Sequence, residues 1–275
     1  MATNRVAESR EVHRPDDTSI RYSLSGPDEG PTVVFVHGWA CNRTDFDALT
    51  RFLPDEFRVL AVDLAEHGES RSARDTWTIE EFARDVAAVL DAEGVTDGVV
   101  AGHSLGGAVA VETGRLRPER VRHIVALDAL HYLFLFGAMS GEEAEGLLRP
   151  LRDDFTGLVR SMVEAGSPPG TDPALKDAHF AKMAAVRQPA GTRAFKGLVA
   201  WDMDAALADA RQPVTVFGVR DLVTPEAIDR LAGRADVVLV DLGSHHFPVE
   251  SPEGTAALIA GVVRAEAVTG TRAGG

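Results

Sequence analysis

Ser104 stands at the centre of Gly102-His-Ser-Leu-Gly106, between the apolar run Val99-Val100-Ala101 and a second apolar stretch at 108–111. Strand, tight turn and helix in that order lift a serine hydroxyl onto a sharp corner, where it can attack a carbonyl carbon. Glycine on either side suits the close strand–helix approach, which a Cβ would obstruct. A hydroxyl is a poor nucleophile at neutral pH and needs a base, usually histidine, itself oriented by a carboxylate. Downstream, Asp221 follows the apolar run 213–217, and His246 follows the run 236–240 within Gly243-Ser-His-His-Phe-Pro248. Asp128, which ends the run 121–127, is a second candidate acid, or else a loop cap facing the pocket. The competing reading of Ser104 is a serine that merely caps a helix after a glycine-rich turn.

These residues need a frame that gathers them. Residues 18–25 alternate apolar and polar, as a half-buried strand does, and 32–36 form a continuous β-branched run suited to a strand buried on both faces. Further strands are expected at 58–62, 95–101, 121–127, 213–217 and 236–240, with helices at 42–53, 78–92, after 104, from 225 and at 254–268. Thr78 with Glu81 three residues on makes a capping box. The alternation breaks between 131 and 206, where only helical segments are expected, at 142–151, 155–165, 174–186 and 192–198. Repeated strand–helix alternation means a mostly parallel sheet with helices on both faces, its functional loops at the C-terminal strand ends. His37-Gly38-Trp39, Asp63, Ser104, Asp128, Asp221 and His246 all fall at that edge.

The chain of 275 residues is 45% hydrophobic and 25% charged, enough for a sizeable core. Its net charge of −14 opposes nucleic acid and anionic membranes. No apolar run approaches the roughly 18 residues that a membrane span needs, and residues 1–17 lack the apolar core of a signal peptide, so a cytoplasmic protein is expected. The single cysteine, Cys41, rules out an internal disulfide and reads as a small, partly buried thiol. No His-Glu-x-x-His or paired-carboxylate spacing supports a metal, and His37 and His67 read as residues that orient loops. His103 reads as packing within the turn, and a small-molecule substrate is expected without cofactor or metal.

Over nearly its whole length the chain resembles the α/β-hydrolase superfamily. The motifs that carry this are His37-Gly38-Trp39, Asp63…His67-Gly68…Ser70, Gly102-His-Ser-Leu-Gly106-Gly107, Gly218-Val-Arg-Asp221, and His246-Phe247-Pro248…Pro252-Glu253. The resemblance implies an α/β-hydrolase core from 1–130 and 207–275 with an inserted helical cap at 131–206. It further implies Ser104 as nucleophile, His246 as base and then acid, Asp221 as orienting carboxylate, and an oxyanion hole from the backbone N–H groups of Trp39 and Leu105. Some members take their carboxylate from the position of Asp128. Three departures stand out: Glu66 where the family has glycine, His245 where a small residue precedes the histidine, and a segment from His246 to Pro252 one residue short. None removes a triad member, but His245 leaves two candidate bases, of which the following Phe-Pro pair favours His246.

The activity so implied is hydrolysis of a carboxylic ester, thioester or lactone through an acyl-enzyme. The same fold also serves cofactor-independent oxygenases, in which His246 would deprotonate the substrate and the acid resembles Asp128 by position. Carbon–carbon bond hydrolysis and a non-catalytic ligand sensor are also compatible with this fold. Aromatic and large apolar residues cluster in the expected cap, and Tyr132, Phe136 and Trp201 are candidates to line a pocket for a medium-sized, hydrophobic substrate.

Overall fold

The computed structural model describes residues 6–136 and 139–270. Eight strands form one sheet in the order β1-β2-β4-β3-β5-β6-β7-β8. They are β1 (Glu8–His13), β2 (Ser19–Ser25), β3 (Thr32–Val36), β4 (Arg58–Val62), β5 (Gly98–His103), β6 (Val121–Leu127), β7 (Val214–Val219) and β8 (Asp236–Val240). From β4 across to β8 every pairing is parallel, while β1 and β2 join antiparallel at one edge. The fold is the α/β-hydrolase fold, and the strands expected from the apolar runs are all present. β1 is additional: it is an exposed edge strand whose sequence, Glu-Ser-Arg-Glu-Val-His, lacks an apolar run.

Successive side chains of a strand point to opposite faces, so each buried run divides between two cores. Val34, Val36, Leu60, Val62, Val100, Ile124 and Ala126 pack toward the helices Ile79–Ala92 and Leu105–Leu116. Val33, Phe35, Val59, Ala61, Val99, Ala101 and Val125 pack toward Phe46, Leu49 and the C-terminal helix Pro252–Gly270. This is why the runs are apolar from Val33 to Val36 and from Val59 to Val62: both faces are covered.

Between β6 and β7 the chain is helical, with segments Leu133–Phe136, Gly141–Asp153, Phe155–Ala165, Pro173–Ala184, Ala190–Val199 and Met203–Asp209. Their starts are written in the sequence. Ser140 and Glu143 form a capping box, Asp154 caps through Gly157 N, and Asp172 precedes a proline at the first turn. The apolar faces of this insertion, including Val159, Val163, Met183 and Phe195, join the core on the side of Leu105–Leu116.

Candidate active site

β5 ends at His103, and the helix Leu105–Leu116 begins two residues later, leaving Ser104 alone to turn the chain at φ +53°, ψ −120°. A left-handed φ on a residue with a side chain costs energy that the surrounding structure must offset. Glycine on both flanks makes the turn possible: a Cβ on Gly102 would fall 1.9 Å from Gly106 O, and one on Gly106 would fall 2.3 Å from Val36 O. Ser104 N donates to Leu127 O at 3.1 Å and its carbonyl accepts from Gly107 N at 2.8 Å, which fixes the corner to β6 and to its own helix. Leu105 is the first helical residue, so its N–H has no carbonyl one turn back to meet. Trp39, beyond the end of β3, is held by its indole N–H, which donates to Gly191 O at 2.7 Å, and by ring contacts with Phe155 and Phe195.

On the neighbouring strand Asp128 follows β6, fully buried, with φ +46°. Its Oδ1 accepts from Val219 N at 2.7 Å and from His131 Nε2 at 2.9 Å. Its Oδ2 accepts from His245 Nδ1 at 2.7 Å and from the Tyr132 hydroxyl. Burial by itself would raise the pKa of this carboxyl, but the hydrogen bonds and positive potential of His131 and His245 hold it well below the usual carboxylate range. The same burial, with the Asp128 charge beside it, pushes the Tyr132 phenol well above its usual value.

His245 is fixed through its backbone as well as its ring. Its N–H donates to Gly166 O of the helical insertion at 2.7 Å, and its carbonyl accepts from His103 Nε2 at 2.7 Å. The His103 ring therefore does more than pack: it anchors the neighbouring histidine, and burial with the adjoining His245 lowers its pKa to about 3. His37 ties the loops below by accepting from Leu64 N at 3.0 Å and donating to Gly38 O at 2.7 Å, the loop-orienting part expected of it.

Several residues singled out in the sequence stand elsewhere. Asp221 is exposed on the turn after β7, and the carboxylate that meets the ring of His245 is Asp128's. The reason is visible at the end of β7: Val219 N is spent on Asp128, and the chain then turns outward. His246 is buried at the start of the short helix Phe247–Glu250, its ring stacked on His179 at 4.0 Å, while the next residue back, His245, carries the carboxylate contact. Phe136 and Trp201 pack on each other in the core, and the Trp201 indole N–H donates to Glu112 Oε1 at 2.7 Å. A buried indole needs an acceptor, and Glu112 on Leu105–Leu116 supplies it away from the pocket. Glu66 adopts φ +60°, the conformation for which glycine is favoured, and its carboxylate accepts from Ser72 N and Arg187 Nε.

A cavity of about 270 Å³ opens over this corner, and Ser104, His245, His246, Trp39, Tyr132 and Met162 share its wall. Cys41 lines it too, its thiol pKa raised well above the usual value by burial. Met183 also lies on the wall with no signal in the sequence to mark it, although it sits one helical turn beyond His179 and so shares its face. A site of this kind, a half-buried corner hydroxyl and a carboxylate-paired imidazole on one largely apolar cavity, suits nucleophilic attack on a carbonyl.

The chain belongs to the alpha/beta hydrolase family, whose model matches residues 33–258. Among curated relatives it is 34% identical over 146 residues to a bifunctional esterase/perhydrolase of Acinetobacter calcoaceticus, a match covering 52% of each chain. The chain thus spans about half the length of that relative. Among solved structures it is similar to an esterase from Exiguobacterium antarcticum, with TM-score 0.78, 17% identity, and 96% of this chain and 100% of that one covered. It is also similar to an N-acyl homoserine lactone degrading enzyme, with TM-score 0.77, 23% identity, and coverage of 92% and 99%. At such identities these structural likenesses bear on the fold alone.

Proposed function

We propose that the protein is a serine hydrolase that cleaves a carboxylic ester, thioester or lactone through an acyl-enzyme. Ser104 is the nucleophile, His245 the general base and then acid, and Asp128 the carboxylate that orients it. The observation that carries this reading is the 2.7 Å contact of His245 Nδ1 with Asp128 Oδ2, on a ring that shares a cavity wall with Ser104. With Nδ1–H committed to the carboxylate, Nε2 is left bare to take the hydroxyl proton. Attack then forms a bond from Ser104 Oγ to the carbonyl carbon, and the proton on His245 passes to the leaving oxygen or sulfur. Water repeats the sequence to release the acid and restore Ser104. The N–H groups of Leu105 and Trp39 face the developing oxyanion; one such donor is typically worth about 3–4 kcal/mol in the transition state.

The family assignment supports this reading, as do the ester chemistry in the curated relative's name and the apolar cavity. The test is covalent labelling with a fluorophosphonate, expected on the wild type and absent in Ser104→Ala. Turnover of 4-nitrophenyl esters is expected to fall in His245→Ala. A folded wild type that takes no label overturns the proposal.

The place of Asp128 after β6 favours one second reading, cofactor-independent oxygenation, in which His245 deprotonates the substrate and Ser104 only binds it. Turnover retained in Ser104→Ala, with oxygen consumed, distinguishes it.

A further inference from the structure

The cavity wall holds a polar ring that the proposed chemistry leaves unused. His246 is 5% exposed, and its ring forms part of the wall. Its backbone N–H is taken by Ser244 Oγ at 3.1 Å, but among the described residues neither ring nitrogen has a hydrogen-bond partner. Three other polar groups of the wall have partners within the protein. Tyr132 donates to Asp128, His103 Nε2 donates to His245 O, and Ser161 Oγ donates to Gly157 O.

The ring is also held in place. It stacks on His179 at 4.0 Å with 19° between the planes, and His179 Nε2 meets Glu250 Oε1 at 2.9 Å. Glu250 in turn accepts from Ser244 N and Ser244 Oγ, both at 2.7 Å, so the support beneath His246 is a closed network. Burial, with the rings of His245 and His103 beside it, lowers the His246 pKa well below its usual value, so the imidazole facing the cavity is neutral. A neutral imidazole carries one N–H donor and one bare nitrogen acceptor. Neither nitrogen is sealed from solvent, so each is open to a hydrogen-bonding group that enters the cavity.

We infer that His246 is a specificity-determining residue: its unpartnered ring, fixed on the His179–Glu250 support, hydrogen-bonds a polar oxygen on the acyl chain of a substrate whose remainder is hydrophobic. This rests on the hydrolase reading for the placement of the acyl group. The preferred acyl group then carries a hydroxyl beyond its carbonyl carbon, in place of a plain alkyl chain. A site built to hydrogen-bond a substrate hydroxyl discriminates against the analogue that lacks it, because the protein group is then left unpaired.

The test measures binding, so it does not depend on turnover. Hexanamide and its 3-, 4- and 5-hydroxy analogues are titrated by calorimetry into Ser104→Ala protein. At least one hydroxylated amide is expected to bind about tenfold more tightly than hexanamide, the size of a modest net hydrogen bond. Adding His246→Phe, which keeps a ring to stack on His179, is expected to bring that ratio close to one. Adding His246→Gln, which restores a donor and an acceptor, is expected to recover part of it. Equal binding of all four amides, or a preference that survives His246→Phe in a protein whose melting shows it folded, overturns the inference. Failure of the hydrolase reading shows separately, as a wild type that takes no fluorophosphonate, and leaves the binding ratio standing on its own.

Discussion

Asp128→Asn offers the sharpest perturbation, because the structure fixes which way the new amide must face. Val219 N is a backbone donor and cannot change character, so the amide oxygen stays where Oδ1 now accepts from it. The amide nitrogen then occupies the place of Oδ2, facing His245 Nδ1 and the Tyr132 hydroxyl. Two N–H groups cannot bond each other, so His245 turns to the tautomer with bare Nδ1 and protonated Nε2. That tautomer cannot take a proton from Ser104. In the serine-protease triad the equivalent Asp→Asn change lowers kcat by about 10⁴, or ~5.5 kcal/mol at ~1.36 kcal/mol per decade, and a loss of that order is expected here. The assay is steady-state hydrolysis of a 4-nitrophenyl ester, with thermal melting as the check on folding. Asp221→Asn, made on the exposed turn, is expected to stay within about twofold of wild type, as surface changes do. An Asp128→Asn protein within tenfold of wild type, or a loss at Asp221 that matches it, refutes the assignment.

Two further outcomes follow from burial. Gly102→Ala places a methyl 1.9 Å from Gly106 O, so urea denaturation is expected to show a loss of about 3 kcal/mol or more, with fluorophosphonate labelling falling in parallel. His37, His67, His103 and His246 are buried, and burial lowers the pKa of each. An unfolded histidine titrates near ~6.5, so as pH falls the unfolded chain takes up protons first. Stability is then fully present above about pH 6.5 and falls below it; for His103 the loss continues to about 3. His103→Phe is expected to make that slope shallower by one proton, ~1.4 kcal/mol per pH unit, read from chemical denaturation between pH 7 and 4. An unchanged slope refutes the claim that His103 is neutral in the folded protein.

The apolar runs made the parallel sheet legible, because strands covered on both faces carry continuous apolar runs, as β3 does from Val33 to Val36 and β4 from Val59 to Val62. The edge strand Glu8–His13 was not legible: with a solvated edge it needs only scattered apolar contacts, and Val12 is its sole apolar residue. Ser104 was visible because its glycines and the strand before it are local. The acid was harder, since β6 and β7 are neighbours in the sheet and Asp128 and Asp221 both stand just beyond strand ends. Which one a histidine reaches depends on how the loop after β8 folds back, a matter of tertiary contact. The histidine itself left a trace. The segment from His246 to Pro252 is one residue short for the family, and the missing residue is restored when the count starts at His245. The Phe247-Pro248 pair drew attention to His246 instead, but those residues open a helix and turn His246 toward His179. The unpartnered imidazole had no sequence signal, because its isolation depends on what every neighbour does with its own donors.

Gly166 closes the helix Phe155–Ala165, and a Cβ there would come within 2.8 Å of His245 Cβ, while its carbonyl holds His245 N at 2.7 Å. A residue with no functional group, in a helical segment away from the sheet, thereby seats the histidine proposed as general base. For protein engineering this sets a limit on modularity. Replacing the insertion wholesale to alter substrate range would also remove the residue against which the histidine is seated. A chimera therefore has to reproduce a glycine and an outward-facing carbonyl at that one point before any change of pocket can be judged on its merits.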